Sequence, residues 1–429
     1  MRILYLTYMP TGVGQTLRSL ECAKAASDLG HEVRLKFLNR HYQSPNFCYE
    51  MMERYRSDKF RAFHPPKPSF GSDKPGYSQA KSSIGRIVDS RPTLKGLYRQ
   101  IAASMRFVPV EMESVKQFKP DVIVARPDQI FSFVVTSRLC SVPVVLETDG
   151  PVEELDSRWG LDSRWVRPLD TWRAHRAAAL LYISKTCGEL WVKKKIPRER
   201  LFYAPNGVDP DVFKPSDPAK RSVMRARLGL GDGHVIGFSG NMREWHGVDQ
   251  LIQAALPLLR RDASLKLLFV GAVDDPSVLN RQEVPADIRK RQFVFTGLLP
   301  YSRMGEHIDL ADCMAMPFPY SDFFFPSAMK LFEAMSVGKL IVAPRMGQIE
   351  EVLGGLKSPI LYDPRGPAAL TQSLEEAKRR AAGASPGIPM GADARDCVAR
   401  AHTWSHRGRA VVDACEYAIR GENRKRRSL

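Results

Sequence analysis

Several features that mark specialised chains are missing here. No apolar run approaches the length needed to cross a bilayer. The seven cysteines are scattered and odd in number, and none stands in C-x-x-C spacing. Reduced thiols in a cytoplasm are therefore expected, with neither a disulfide framework nor a metal site. Zinc-finger and aromatic-rich nucleic-acid signatures are absent, so no nucleic-acid partner is expected. Acidic residues are in deficit: 47 Asp and Glu against 64 Lys and Arg leave a net charge of +17. Such an excess suits nucleic acid, anionic lipid or phosphorylated small molecules. It is spread along the chain apart from the tail "RGENRKRRSL". That tail is expected to be solvated and disordered, and it could rest on an anionic membrane surface. The first residues, "MRILYLTYMPTG", meet turn residues at once and carry no small-residue cleavage site, so they read as a first strand and not as a signal peptide. The expected location is cytoplasmic, peripheral at the inner membrane where the tail engages lipid.

What is present points to two ordinary α/β domains. A chain of 429 residues, 44% apolar and 26% charged, can bury two cores. "RILYLTY", a glycine-containing loop, a helical stretch ending at Gly30 and "HEVRLKFL" make a βαβ unit within 40 residues. "PDVIVAR", "VPVVLETDG" and "AALLYIS" read as further buried strands. Ligand groups in such sheets lie past the carboxyl ends of strands, which singles out Gly12, Gly14, Arg126, Glu147 and Asp149. Residues 42–95 break the rhythm and read as a mobile insertion.

"YAPNGVDPDVFKPSDPAK" marks a boundary, after which the alternation restarts. "VIGFSG", "LKLLFVG", "FVFTG" and "DCMAMPF" read as strands, and Val248, Leu251, Ile252, Ala255 and Leu259 form a helical stripe. The expected organisation is an N-terminal domain over 1–205 and a C-terminal domain over 206–400. A helix over 401–420 packs back toward the first domain, and the basic tail over 421–429 follows. Two facing doubly wound sheets with an interdomain cleft make that cleft the default ligand site.

The stretch "FFFPSAMKLFEAMSVGKLIVAP" (323–344) is apolar but for Lys330 and Glu333. A helix opening after Pro326 puts Ala328, Leu331, Phe332 and Met335 on one buried stripe, with Lys330 and Glu333 facing away from it. Three residues apart, the two could form an ordinary surface pair. Ser327, however, suits the N-cap, and a cation in a helix's first turn is unfavourable unless an anion is near. Exposed N–H groups plus a lysine would make a phosphate site.

"PNGVDPDVFKP", "FSGNMREWHGVDQLIQA", "LLFVGA", "FTGLLPYSRM" and "KLFEAMSVGKLIVAP" occur in this order. Together they resemble the retaining GT-B glycosyltransferases of the family-four type, as a variant subgroup with WHG and KLFE motifs. The resemblance is dense over about 200–365 and thinner over 1–40 and 120–200. It implies a GT-B fold of two Rossmann-like domains, the first for the acceptor and the second for the donor. The reaction it implies is metal-independent transfer of a hexose from a UDP- or GDP-sugar to a hydroxyl acceptor, which could be a glycan, a lipid-linked group or a small molecule. No cofactor is expected beyond the nucleotide-sugar donor substrate.

By position, the resemblance assigns Glu333 to the ribose hydroxyls. Ser327, Ala328 and Met329 become the helix start that holds the diphosphate, with Lys330 nearby. Leu298 and Leu299 line the nucleobase, and Gly12 and Gly14 approach the phosphates from the first domain. The family's loop arginine and lysine are replaced by Asn241 and His246, so Arg243 is expected to supply positive charge, with His246 helping if protonated or as a donor. The earlier of the family's paired glutamates is Phe325, and the first-domain histidine is Asp149, with Glu147 competing for its role. Expected leaving-group stabilisation therefore falls to Arg243, Lys330 and helix N-termini. The one D-x-D, Asp209-Pro210-Asp211, reads as turn chemistry. Two alternatives compete: a nucleotide-sugar epimerase of the same architecture, and a non-enzymatic basic binding protein.

Overall fold

The computed structural model describes residues 1–8, 14–38, 51–52, 55–63, 101–102, 104–127, 131–151, 166–273, 276–281, 283–322, 324, 326–366, 368–383 and 389–427. Gly12, Phe325 and most of 42–95 lie outside them. The chain divides into two compact units. One comprises Met1–Asn206, Phe325–Ser327 and Trp404–Leu429; the other comprises Gly207–Phe324 and Ala328–Thr403.

The first unit is built on seven parallel strands in the order β3-β2-β1-β4-β5-β6-β7. These are β1 (Arg2–Thr7), β2 (Glu32–Phe37), β3 (Phe60–Phe63), β4 (Val122–Arg126), β5 (Val144–Thr148), β6 (Ala179–Tyr182) and β7 (Leu201–Tyr203). The central strands are buried on both faces, which is why they read as unbroken apolar runs without alternation. Helices α1 (Gly14–Asp28), α2 (Val108–Phe118) and α3 (Lys185–Lys193) pack on this sheet with the C-terminal helix, Trp404–Arg427. Ser184 is buried as the N-cap of α3, its hydroxyl accepting from the Cys187 N–H. Cys187 is itself buried, and burial pushes its thiol up to about 12.

Two expectations change here. Residues 60–63, placed in an insertion, form the edge strand β3. The tail is not disordered over its whole length, since the last helix continues to Arg427. Strand β7, only three residues long, carried no readable period.

The second unit has six parallel strands in the order β10-β9-β8-β11-β12-β13. They are β8 (Val235–Ser239), β9 (Lys266–Val270), β10 (Phe293–Phe295), β11 (Cys313–Ala315), β12 (Leu340–Pro344) and β13 (Ile360–Tyr362). Helix α4 (Val248–Arg261) buries the stripe Val248, Leu251, Ile252, Ala255 and Leu259 against β8 and β9. Both sheets reverse strand order beside their first strand, at β1/β4 and at β8/β11. The carboxyl ends of those pairs are where ligands dock in open α/β sheets.

Gly247, the N-cap of α4, has φ +68°, and a Cβ there would lie 1.7 Å from the Pro317 carbonyl oxygen. Gly247→Ala combines left-handed backbone strain with a clash against main chain. It should destabilise the protein by roughly 2–4 kcal/mol, read as a lowered denaturant midpoint at unchanged slope.

Candidate functional site

In the second unit, helix α5 (Met329–Ser336) starts just past the β8/β11 switch. Its residues from Lys330 to Ser336 are all buried. Lys330 and Glu333 are 9% and 8% exposed, so they neither face away from the apolar stripe nor form a surface pair. From Lys330 onward the helix is enclosed, and its polar residues point into protein. The Lys330 ammonium lies 4.3 Å from the ring centre of Phe238, near the end of β8, and 5.3 Å from that of Phe318, just past β11. Among the described residues it has no hydrogen-bond partner. Gly240 (φ +108°) follows β8, and a Cβ there would sit 3.2 Å from the Lys330 Nζ, so a side chain would fill the space beside the cation.

Burial pushes Lys330 down to about 7 and Glu333 up to about 7, each opposed by the other's charge. Among the described residues the Glu333 carboxyl takes no hydrogen bond. An unpartnered amine and an unpartnered carboxyl, one helical turn apart in an apolar setting, cost the fold stability.

The start of α5 is open as well. Ala328 stands at the N-cap with no side-chain hydrogen bond, so among the described residues no capping side chain satisfies the first N–H groups. Ser327 is not the cap. Its hydroxyl instead accepts from the Asn206 N–H at 2.8 Å. Met329 opens the helix, half-buried.

The loop after β8 contributes differently from expectation. His246 bonds through Nδ1 to the Asn241 carbonyl, and its ring packs on Phe238 and Phe318. Burial and the nearby Lys330 charge push its pKa down to about 3, so it is neutral and supplies no cation. With Nδ1–H donating to the carbonyl, Nε2 is left as an acceptor. Arg243, half-buried, stands over the Trp245 ring at 5.2 Å. Leu298 is 55% exposed and Leu299 half-buried in the loop after β10, where Gly297 bridges Gly271. Asp209 of the D-x-D accepts the Asp211 N–H at 2.9 Å, a local turn.

The first unit holds a buried charged cluster at the carboxyl ends of β4 and β5. Glu147 is fully buried and bonded by Tyr5 and Arg18, with the Arg126 Nη1 at 3.2 Å. Burial alone would raise its pKa, but the two guanidinium charges outweigh that and hold it below the ordinary range. Sealed from solvent and saturated, Glu147 holds the cluster together and is not a candidate for touching substrate. Asp149 is different: its side chain is 26% exposed, and both its oxygens accept from the Arg126 Nη2, at 2.7 and 2.8 Å. Gly14 begins α1.

Sequence reasoning missed Arg18, Tyr5 and Asn206. Arg18 sits among the buried positions of α1 and could have been noticed as a charge on an apolar face. Asn206 was read only as boundary punctuation.

Residues 233–378 match the family model described as "Glycosyl transferases group 1", and residues 14–212 match "Glycosyltransferase Family 4". The chain is 30% identical over 224 residues to a GDP-mannose-dependent alpha-(1-6)-phosphatidylinositol monomannoside mannosyltransferase of Mycolicibacterium smegmatis, covering 51% of this chain and 56% of that protein. It is 28% identical over 230 residues to a D-inositol 3-phosphate glycosyltransferase of Frankia alni, covering 52% and 54%. The chain thus spans about half the length of these relatives. Among solved structures, a glycosyltransferase from Rickettsia africae superposes with a TM-score of 0.69 at 16% identity, over 97% of this chain and 99% of that one. Anabaena HepE in complex with UDP and glucose superposes with a TM-score of 0.67, also at 16% identity, over 97% and 99%. The chain therefore has the GT-B fold of two Rossmann-like domains, and each of its halves matches a glycosyltransferase family model.

Proposed function

We propose that the protein transfers a hexose from a UDP- or GDP-linked donor to a hydroxyl acceptor with retention of configuration. The observation that carries this reading is the buried, unpartnered Lys330 at the uncapped start of α5, with Glu333 one turn further on. A diphosphate supplies the anion that Lys330 and the free N–H groups lack. A ribose diol supplies two O–H donors to a carboxylate that has none. Arg243 adds positive charge from the β8 loop, and Leu298 and Leu299 offer an apolar face to the base. The relatives support such a donor, since one is a GDP-mannose-dependent mannosyltransferase and one structural neighbour was solved with UDP and glucose. Retention rests on the sequence resemblance. The leaving nucleotide's charge is met by fixed cations and helix N–H groups preorganised for it, and a divalent ion is not needed for that role.

The test is a thermal-shift series with UDP, GDP and their sugar conjugates, with and without excess chelator. One nucleotide should raise the melting temperature, equally with chelator present, and its sugar conjugate should give a transfer product with the donor's anomeric configuration. No shift with any nucleotide would overturn the donor site. A shift lost to chelator and restored by Mg²⁺ would overturn metal independence. An epimerised donor without transfer would favour the epimerase.

A further inference from the structure

We propose that Asn206 is a positioning residue that keeps the start of α5 free for an anion, an inference that rests on the donor site assigned above. Ser327 offers α5 a hydroxyl, and a serine at a helix start ordinarily bonds N–H groups two or three residues on. Those would be Met329 and Lys330, the same N–H groups that the diphosphate needs. In the structure this hydroxyl is held elsewhere. It accepts from the Asn206 N–H at 2.8 Å, while the Asn206 Nδ2 donates to the Ser327 carbonyl at 2.5 Å. Ser327 is therefore clasped at both its oxygens by one residue.

The asparagine is fixed in turn. Its Oδ1 accepts from the Arg18 Nη1 at 3.0 Å, and the Arg18 Nη2 donates to the Ala204 carbonyl at 2.6 Å. Arginine can only donate, so the amide oxygen must face Arg18 and the amide nitrogen must face Ser327. Arg18 is anchored by Glu147, and Arg18, Glu147, Asn206 and Ser327 are all buried. The buried ion pair thus sets the orientation of the Asn206 side-chain amide, which anchors the Ser327 carbonyl, and with Ser327 so held the Asn206 main-chain N–H takes its hydroxyl away from α5. This accounts for a serine beside the helix start that leaves the helix uncapped. Asn206 touches no substrate.

The experiment titrates UDP and GDP into the full chain by calorimetry, alongside melting temperatures. Asn206→Asp keeps the acceptor for Arg18 and puts an oxygen where the side-chain donor to the Ser327 carbonyl was; Asn206→Ala removes both side-chain bonds, and in either variant only the main-chain N–H is left to hold the Ser327 hydroxyl. Without the carbonyl anchor Ser327 can turn, and its hydroxyl competes for the helix N–H groups. Either variant should bind the preferred nucleotide about tenfold or more weakly, the loss of a charge-assisted hydrogen bond. Adding Ser327→Ala removes the competing hydroxyl. Affinity should then return to within about threefold of wild type, without any recovery in melting temperature. That recovery is what a merely structural role would not give. Asn206 variants that bind like wild type, or double variants no tighter than the single ones, would overturn the proposal while leaving the donor site standing. A wild-type protein that binds neither nucleotide would overturn the donor site, and this inference with it.

Discussion

Lys330→Met is expected to weaken nucleotide binding roughly ten- to hundredfold, the loss of one hydrogen bond to a charged group, about 1.5–3 kcal/mol. The melting temperature at pH 7 should stay level or rise. The two halves of this expectation separate function from structure. In the folded protein Lys330 is pushed from 10.5 to about 7 by burial. A depressed lysine costs stability wherever the unfolded chain holds it protonated, and that cost is relieved as pH rises from about 7 toward 10.5. Glu333 runs the other way. Its value is raised from 4.5 to about 7, so its cost is absent at pH well below 4.5 and grows as pH climbs toward 7. The pair is therefore most costly to the fold near neutrality. Methionine fills the space between Phe238 and Phe318 without a charge, and Glu333 can then take up a proton. Glu333→Gln should likewise keep stability and lose nucleotide affinity by a similar factor, since the amide offers one acceptor where the carboxylate offers two. Both variants melting well below wild type with affinity intact would make the pair a structural element.

The second large effect is expected at Asp149. We propose that this carboxylate offsets the charge that develops on the reacting sugar, because its side chain is 26% exposed where that of Glu147 is sealed. Arg126 holds both of its oxygens from one side. Asp149→Asn preserves shape and removes charge. Turnover should fall about 10²-fold, the scale for one catalytic electrostatic group, while the nucleotide dissociation constant changes less than about threefold. Titration calorimetry and initial rates on the same preparation give both quantities. A fall in nucleotide affinity with turnover preserved would make Asp149 a binding residue. Glu147→Gln does not probe the same role: it strands Arg18 and Arg126 in the core, and global unfolding is expected, on the order of 3–5 kcal/mol for a broken buried ion pair.

The sheets were legible because doubly buried strands write themselves as apolar runs, and α4 because one of its faces meets solvent and gives a 3.6-residue period. The same logic misled at α5. A helix buried along its length has no polar face to reveal, so Lys330 and Glu333 looked like surface residues when they are buried. Ser327 looked like a cap because capping is local, whereas its real partner lies 121 residues earlier in the chain. His246 reads from sequence as a candidate cation. Only the packing of Phe238, Phe318 and Lys330 around it shows that it must be neutral. Glu147 and Asp149, two residues apart on one strand face, were indistinguishable until Arg18 and Tyr5 were seen to seal the first and leave the second open.

The central claim is that Lys330 and Glu333 form a nucleoside-diphosphate site at the start of α5. A crystal structure with the nucleotide that gives the largest thermal shift tests it most directly. A phosphate oxygen should lie within hydrogen-bond distance of the Lys330 Nζ and the first N–H groups of α5, with the ribose hydroxyls on Glu333. Nucleotide bound elsewhere, with Lys330 still unpartnered between Phe238 and Phe318, would contradict the account.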